Sequence, residues 1–238
     1  MTYSLRSFRI YMAQRTFSVY VAPVMLLAVL ALTVIAGLIT GMVVGLPLPP
    51  EVADGFQGIF MVVSVLIGFF ISSSALAVNR TFATVLAFGG TRRDFWLGSS
   101  LGFVVTAMIA AVCGTLLLGL ERLTDGWFIG VPVFDTPFLG DGNLLITFVS
   151  VLAYSLAALF MGAAFGTIFR AFGARAVTAA IVSAVLLVAG VVAVIVWQRE
   201  FTLEFATDLG PWLPTVTASA FGVGCLVISY LANKRATI

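Results

Sequence analysis

Few residues in this chain are equipped for chemistry. Lys and Arg together number 12 and Asp and Glu 10, histidine is absent, and the cysteines are Cys113 and Cys225. Hydrolysis within a membrane needs a nucleophile with its base, a pair of acids, or a metal. No acid falls inside an apolar run, no Cys-x-x-Cys spacing occurs, and no histidine can complete a metal site, so no catalytic residue and no metal are expected. A nucleotide loop of the form G-x-x-x-x-G-K-[ST] needs a lysine to reach the phosphates. The single lysine, Lys234, lies outside any glycine loop. The chain is therefore expected not to be an enzyme and to carry no cofactor of its own. Strongly polar residues do gather at one place, "LAFGGTRRDFW" at 86–96, where Thr91, Arg92, Arg93 and Asp94 run together in a chain only 9% charged.

Hydroxyls are the remaining polar groups within the apolar runs: Ser64, Ser72 to Ser74, Thr106, Ser150, Tyr154 and Ser183. Such hydroxyls commonly bond back to their own helix, and that is the expectation for each. Ionisable groups at membrane depth are costly and mark ion or proton pathways; none is visible here.

The elements that must position these residues follow from composition. Hydrophobic residues make up 61% of the chain and the mean hydropathy is +1.17, against roughly 45–50% apolar in a soluble domain. A span needs about 20 apolar residues to cross some 30 Å of hydrocarbon. Six stretches qualify: Phe17 to Val44, Phe56 to Val78, Phe95 to Leu120, Leu144 to Phe169, Ala176 to Trp197 and Trp212 to Ala232. The fold class is an all-α membrane protein of six transmembrane helices. The first run is too long for a cleavable signal peptide and reads as a retained helix. Residues 17–238 form one transmembrane domain, preceded by residues 1–16. In that lead-in Leu5, Phe8, Tyr11 and Met12 share one helical face and Arg6 and Arg9 the other, the pattern of an amphipathic interfacial helix.

Charge sets the orientation, because short cytoplasmic loops collect Lys and Arg. Arg6, Arg9, Arg15, Arg80, Arg92, Arg93, Arg170, Arg175, Lys234 and Arg235 fall on one side and only Arg122 and Arg199 on the other. Both termini are expected in the cytoplasm. Glu51, Asp54, Glu121, Asp125, Asp135, Asp141, Glu200, Glu204 and Asp208 all fall outside, with Asp94 the exception. The longest outside loop, residues 121–143, mixes Trp127, Phe128 and Phe138 with prolines and glycines and suits the headgroup layer. Gly37, Gly41 and Gly45 in the first span, and Gly162 and Gly166 in the fourth, recur at four-residue spacing and predict close helix packing within one subunit. The cysteines are expected to serve only packing.

The loop between the second and third spans reads "NRTFATVLAFGGTRRDFWLG". Phe82, Val85 and Leu86 share a helical face, Gly89 and Gly90 can end that helix, and Thr91 with Asp94 fits a capping box that starts the next. The pairs Phe88-Gly89 and Phe172-Gly173 sit in the two cytoplasmic turns, without amounting to an internal repeat.

These residues resemble the cytoplasmic loop of type-2 ABC transporter permeases, in particular compact actinobacterial ones, and "GAAFGTIFRAFGARAV" at 162–177 is similar to the same family's turn after the fourth span. The resemblance implies a permease subunit of an ATP-driven exporter of lipid, peptide or drug-like substrates in the plasma (inner) membrane. It further implies a short cytoplasmic coupling helix, with Phe82, Val85, Leu86 and Phe88 docking on an ATPase and Arg92 and Arg93 orienting the loop or meeting partner carboxylates. Partners would be a soluble ABC ATPase dimer, which binds the ATP and Mg, a second permease copy in a homo- or heterodimer, and the lipid bilayer, with no nucleic acid. Other readings stay open: a substrate-capture membrane subunit of a larger transport complex, an ion-coupled transporter, and a non-transporting membrane scaffold or immunity protein.

Overall fold

The computed structural model describes residues 3–57, 61–198 and 207–235, and among these the regular structure is entirely helical. Arg199, Glu200 and Glu204 lie outside the described residues. Helix α1 (Tyr3–Ala13) leads through a wide turn at Thr16–Tyr20 into α2 (Val21–Val44), and a short helix α3 (Pro50–Gln57) precedes α4 (Met61–Ala87). Then follow α5 (Arg92–Leu123), α6 (Leu144–Phe172), α7 (Ala174–Trp197) and α8 (Leu213–Arg235). The segments Ser18–Val44, Val62–Ala87, Arg92–Leu123, Leu144–Phe172, Ala174–Val191 and Thr207–Arg235 are long and apolar enough to cross a membrane, so the chain is a multi-pass membrane protein in architecture. In hydrocarbon a backbone can satisfy its N–H and C=O groups only internally, which makes these apolar runs helices rather than anything looser. Helix α3 was not foreseen: most of its sequence PEVADGFQ lies outside the apolar runs, and its last residues, Phe56 and Gln57, belong to the stretch expected to open the second span.

Helix α5 has 32 residues, about 48 Å at 1.5 Å per residue, well beyond the roughly 30 Å hydrocarbon core. Its first turn, with Arg92, Arg93 and Asp94, and its last, with Glu121 and Arg122, therefore project past the apolar layer at opposite ends. Tyr3 and Arg235 share the Arg92 end, as expected for an even number of crossings.

Helix α6 is central, packed against α4, α5 and α8. Its inward face is built from small residues, Ala153, Ala157, Ala158, Gly162, Ala163, Ala164 and Gly166, which let helix axes approach closely. A β-carbon on Gly162 would run into the Ile71 carbonyl and Ser74 hydroxyl of α4, and one on Gly166 would lie 3.2 Å from the Ala75 carbonyl. The expected within-subunit role of this pair holds. Larger side chains fill the remaining space, including Phe70, Phe82, Phe95 and Phe103. Edge-to-face rings link Tyr11 to Phe103 (centroids 5.4 Å apart) and Phe103 to Phe160 (5.6 Å), a geometry favoured by the ring quadrupoles.

Two expectations are corrected. No separate coupling helix lies between the second and third spans: Phe82, Val85 and Leu86 are the last turns of α4, which is continuous to Ala87. A helix already paid for by its apolar span extends through "RTFATVLA", which holds no breaker before Gly89. The Leu5, Phe8, Tyr11 and Met12 face of α1 is buried only in part: Tyr11 is buried and Met12 packs against the core, but the seam turns toward Ser7 and away from Leu5. Ser7 and Tyr11 are the buried residues, set against Gly98 and Gly102 of α5, while Leu5 is 43% exposed. Missing side chains on α5, rather than apolar residues on α1, decide which face can come close. The Tyr11 hydroxyl lies 3.4 Å from Thr106 Oγ1, which itself donates to backbone carbonyls at Ser18 or Gly102. Tyr11 is thereby the donor in that pair, and burial pushes its phenol up to about 12, keeping it neutral.

Candidate functional site at the basic end of the bundle

The turn joining α4 to α5 is only four residues, 88–91, and both helix ends are built into it. Gly89 takes φ +79°. Its N–H donates to the Leu86 carbonyl at 2.9 Å and that of Gly90 to the Val85 carbonyl at 3.0 Å, the paired bonds of a Schellman ending. Thr91 then caps α5. Its hydroxyl oxygen accepts from the Asp94 N–H at 3.1 Å, and the Asp94 carboxylate accepts from the Thr91 N–H at 3.2 Å, the reciprocal capping box expected of T-R-R-D. Among the described residues Asp94 is the one acid at this end, and it is engaged in a helix start.

Around this turn the ends of α4, α6 and α8 are tied together by bonds that no local pattern announces. Arg92 Nη1 donates to the Lys234 carbonyl at 2.7 Å, and Asn233 Nδ2 donates to the Arg92 carbonyl at 2.9 Å, a mutual clamp between the start of α5 and the end of α8. Trp96 packs edge-on against Tyr230, centroids 5.0 Å apart. Arg170, in the last turn of α6, donates through Nε to Asn79 Oδ1 at 3.0 Å and through Nη2 to the Asn79 carbonyl, with its guanidinium 4.2 Å over the Phe82 ring. Phe82 in turn meets Phe95 edge to face at 5.0 Å. The polar island is therefore the rigid hub of three helix ends.

This arrangement redistributes the residues expected to dock on a partner. Phe82 is 1% exposed and Val85 3%, so neither presents a surface to another protein, and Leu86 is half-buried against the core. Arg92 is engaged with α8. What faces outward at the tip is Phe88, 73% exposed, with Arg93 beside it. Phe172, followed by Gly173 at φ +80°, ends α6 and is also exposed.

At the opposite end, residues 124–143 form a structured cap rather than a loose interfacial loop. Glu121, 2% exposed, lies at its centre. Its Oε1 accepts from the N–H groups of Val133 and Asp135, both at 3.0 Å, and its Oε2 from the Phe134 N–H at 2.9 Å and Trp127 Nε1 at 3.1 Å. Four donors fill the acceptor positions of one carboxylate. They hold a backbone in which Asp125, Gly126, Trp127 and Phe128 all have positive φ, a conformation costing about 1–2 kcal/mol for each non-glycine residue. Val131, Phe134 and Leu139 are buried beneath. Asp135 sits 3.9 Å from Arg122, yet burial, only partly countered by that arginine, holds its carboxyl above the usual range. Trp127 thus serves Glu121, while Phe128 remains outward at 83% exposure.

The hydroxyls divide. Ser72, Ser73 and Ser74 bond to their own helix. Ser150 instead meets Thr215 of α8 at 2.6 Å, and Tyr154 donates to the Phe138 carbonyl of the cap at 3.0 Å. Cys113 and Cys225 are free thiols, half-buried and buried respectively. Among the described residues no group of His, Cys, Asp or Glu is arranged to hold a metal. An open apolar groove of about 320 Å³ runs between α4, α6 and α8, lined by Ile67, Tyr154, Met161, Pro214 and Phe221. Compared with protein-family models, with curated proteins and with solved structures, the chain matches none.

Proposed function

We propose that this chain is the permease subunit of an ATP-driven ABC exporter of the plasma membrane, both termini cytoplasmic, working with a second permease copy and an ABC ATPase dimer that binds ATP and Mg. The observation that carries the reading is the doubly capped tip at 88–93. A large aromatic side chain, Phe88, stands 73% exposed on a turn whose two helix ends are locked, beside the free-standing Arg93. A rigid tip joined to α8 through Arg92 and Asn233, and to α6 through Arg170, can pass a displacement into the bundle, which a mobile loop cannot. The docking set is accordingly Phe88 and Arg93, with Leu86 at its edge, while Phe82 and Val85 are the foundation under it.

Co-expression with ABC ATPases from the same genome tests the reading. Phe88→Asp should weaken co-purification of the ATPase by about tenfold or more, the scale of a truncated interface anchor, while the variant still elutes as a folded protein. Phe82→Asp should fail earlier, by unfolding the end of α4. Undiminished ATPase association and ATP-driven transport in Phe88→Asp would sink the proposal. The groove of about 320 Å³ favours one second reading, a membrane subunit that captures an apolar ligand; tight ligand binding by the isolated chain would support that instead.

A further inference from the structure

A second groove, of about 560 Å³, opens where α6 ends, α7 begins and α8 ends. Helix α6 lines it with Ile168 and Phe172, α8 with Ile228 and Leu231, and the last turn of α8 places Lys234 and Arg235 at its mouth. Its size lies within the usual range of small-molecule sites, roughly 300–1,000 Å³. Ile228 and Lys234 are about 9 Å apart along the helix axis at 1.5 Å per residue, so the lining changes from apolar to cationic along the direction in which the helices cross the membrane.

The charge surrounding the mouth is one-sided. The Arg92 bond to the Lys234 carbonyl brings a further guanidinium alongside, and Arg175 stands exposed in the first turn of α7. Lys234 rests its ammonium 4.7 Å over the Tyr230 ring, which orders it without neutralising it. Asp94 is held in the capping box, and the other described acids, Glu51, Asp54, Glu121, Asp125, Asp135, Asp141 and Asp208, belong to the far end of the bundle.

We infer that this groove is a binding site for an anionic phospholipid, with an acyl chain lying along Ile168, Ile228 and Leu231 and the phosphate held by Lys234 and Arg235. An apolar channel alone would take any lipid, and a cationic patch alone any anion. The two in series, at the level where an apolar span meets its basic flank, fit a molecule with both parts. A bound lipid would also wedge between α8 and the start of α7, helping to set the angle at which α7 leaves the bundle. The inference goes beyond the exporter reading and needs only that the helices span a membrane.

The purified full-length chain in neutral detergent provides the test, by native mass spectrometry and thermal unfolding during titration with phosphatidylglycerol, phosphatidylcholine of the same chains, or inorganic phosphate. The expected result is one retained phosphatidylglycerol with a raised unfolding midpoint, and no comparable effect of the other two. Lys234→Gln with Arg235→Gln should weaken phosphatidylglycerol binding about 30-fold, the effect of two basic residues near a charged lipid surface. Leu231→Trp, which fills the groove and keeps both charges, should abolish retention. Equal binding of phosphatidylcholine would reduce the groove to general lipid solvation, and an equal shift with inorganic phosphate would reduce it to a bare anion patch. Either outcome overturns the proposal, as does wild-type affinity in either variant. The lipid comparison is made on the unaltered chain, so it decides even where a variant does not fold.

Discussion

The side chain on which most local structure depends is Glu121, at the end of α5. Its carboxylate accepts from residues 6, 12, 13 and 14 positions downstream, closing the outer cap over a backbone with several left-handed residues. Glu121→Gln turns an amide NH2 toward N–H donors that it cannot accept. We expect a loss of about 3 kcal/mol, the worth of hydrogen bonds to a charged group together with stranded donors. Amide exchange at Val133 to Asp135 should accelerate well before the helices melt; unchanged protection there would show that the cap is held by its apolar residues alone. In the sequence Glu121 is one of nine acids on the outer side and nothing in its neighbours distinguishes it. The donors that single it out are brought to it by the chain's return, so only the folded backbone reveals the role. Arg92 has the same history: its position at a helix start is readable, but its partner is the carbonyl of Lys234, 142 residues away.

At the scale of elements, helix ends proved more legible than helix faces. Gly89, Gly90, Thr91 and Asp94 end one helix and start the next as their types imply, because capping bonds span only three to five residues and are decided locally. Which face each helix buries is decided by its neighbour. The apolar pattern of α1 pointed to Leu5, Phe8, Tyr11 and Met12, of which Tyr11 is buried; the close approach onto Gly98 and Gly102 turns the seam so that Ser7 is buried with it and Leu5 is left exposed. The α4–α6 seam gives a test of this principle. Gly162→Ala sets a methyl against the Ile71 carbonyl, which belongs to helix backbone and cannot move aside, and overpacking of that kind costs about 1–3 kcal/mol. Gly68→Ala, where a β-carbon meets nothing within 4 Å, should be neutral or stabilising by up to about 1 kcal/mol, since alanine is the better helix former. Comparable melting of the two variants in detergent would remove the seam from the account of stability.

In the whole molecule, α7 stands apart. It is a membrane-length apolar helix, yet among the described residues none of Ala174–Val191 is buried within the chain, and it packs chiefly at its junction with α6. Val185, Leu186 and Leu187 are each more than 60% exposed. On the reading of a permease pair, this helix meets the second copy. In a background lacking Cys113 and Cys225, Leu186→Cys should form an oxidative cross-link between subunits in native membranes, while Leu118→Cys, in the core, should not. Persistent monomer at Leu186 would place the subunit contact elsewhere. By itself the sequence determined that this is a membrane protein of six long apolar helices, with its basic residues gathered at one end and with helix boundaries at Gly89–Asp94. Those features follow from apolar length, from charge and from bonds between near neighbours. Only the tertiary structure decided that Phe82 and Val85 support the tip rather than form its surface, that Glu121 organises the outer cap, and that Lys234 and Arg235 stand at the mouth of a groove. Each of those depends on which distant backbone comes close, and in so apolar a chain many helix faces are equally able to be buried.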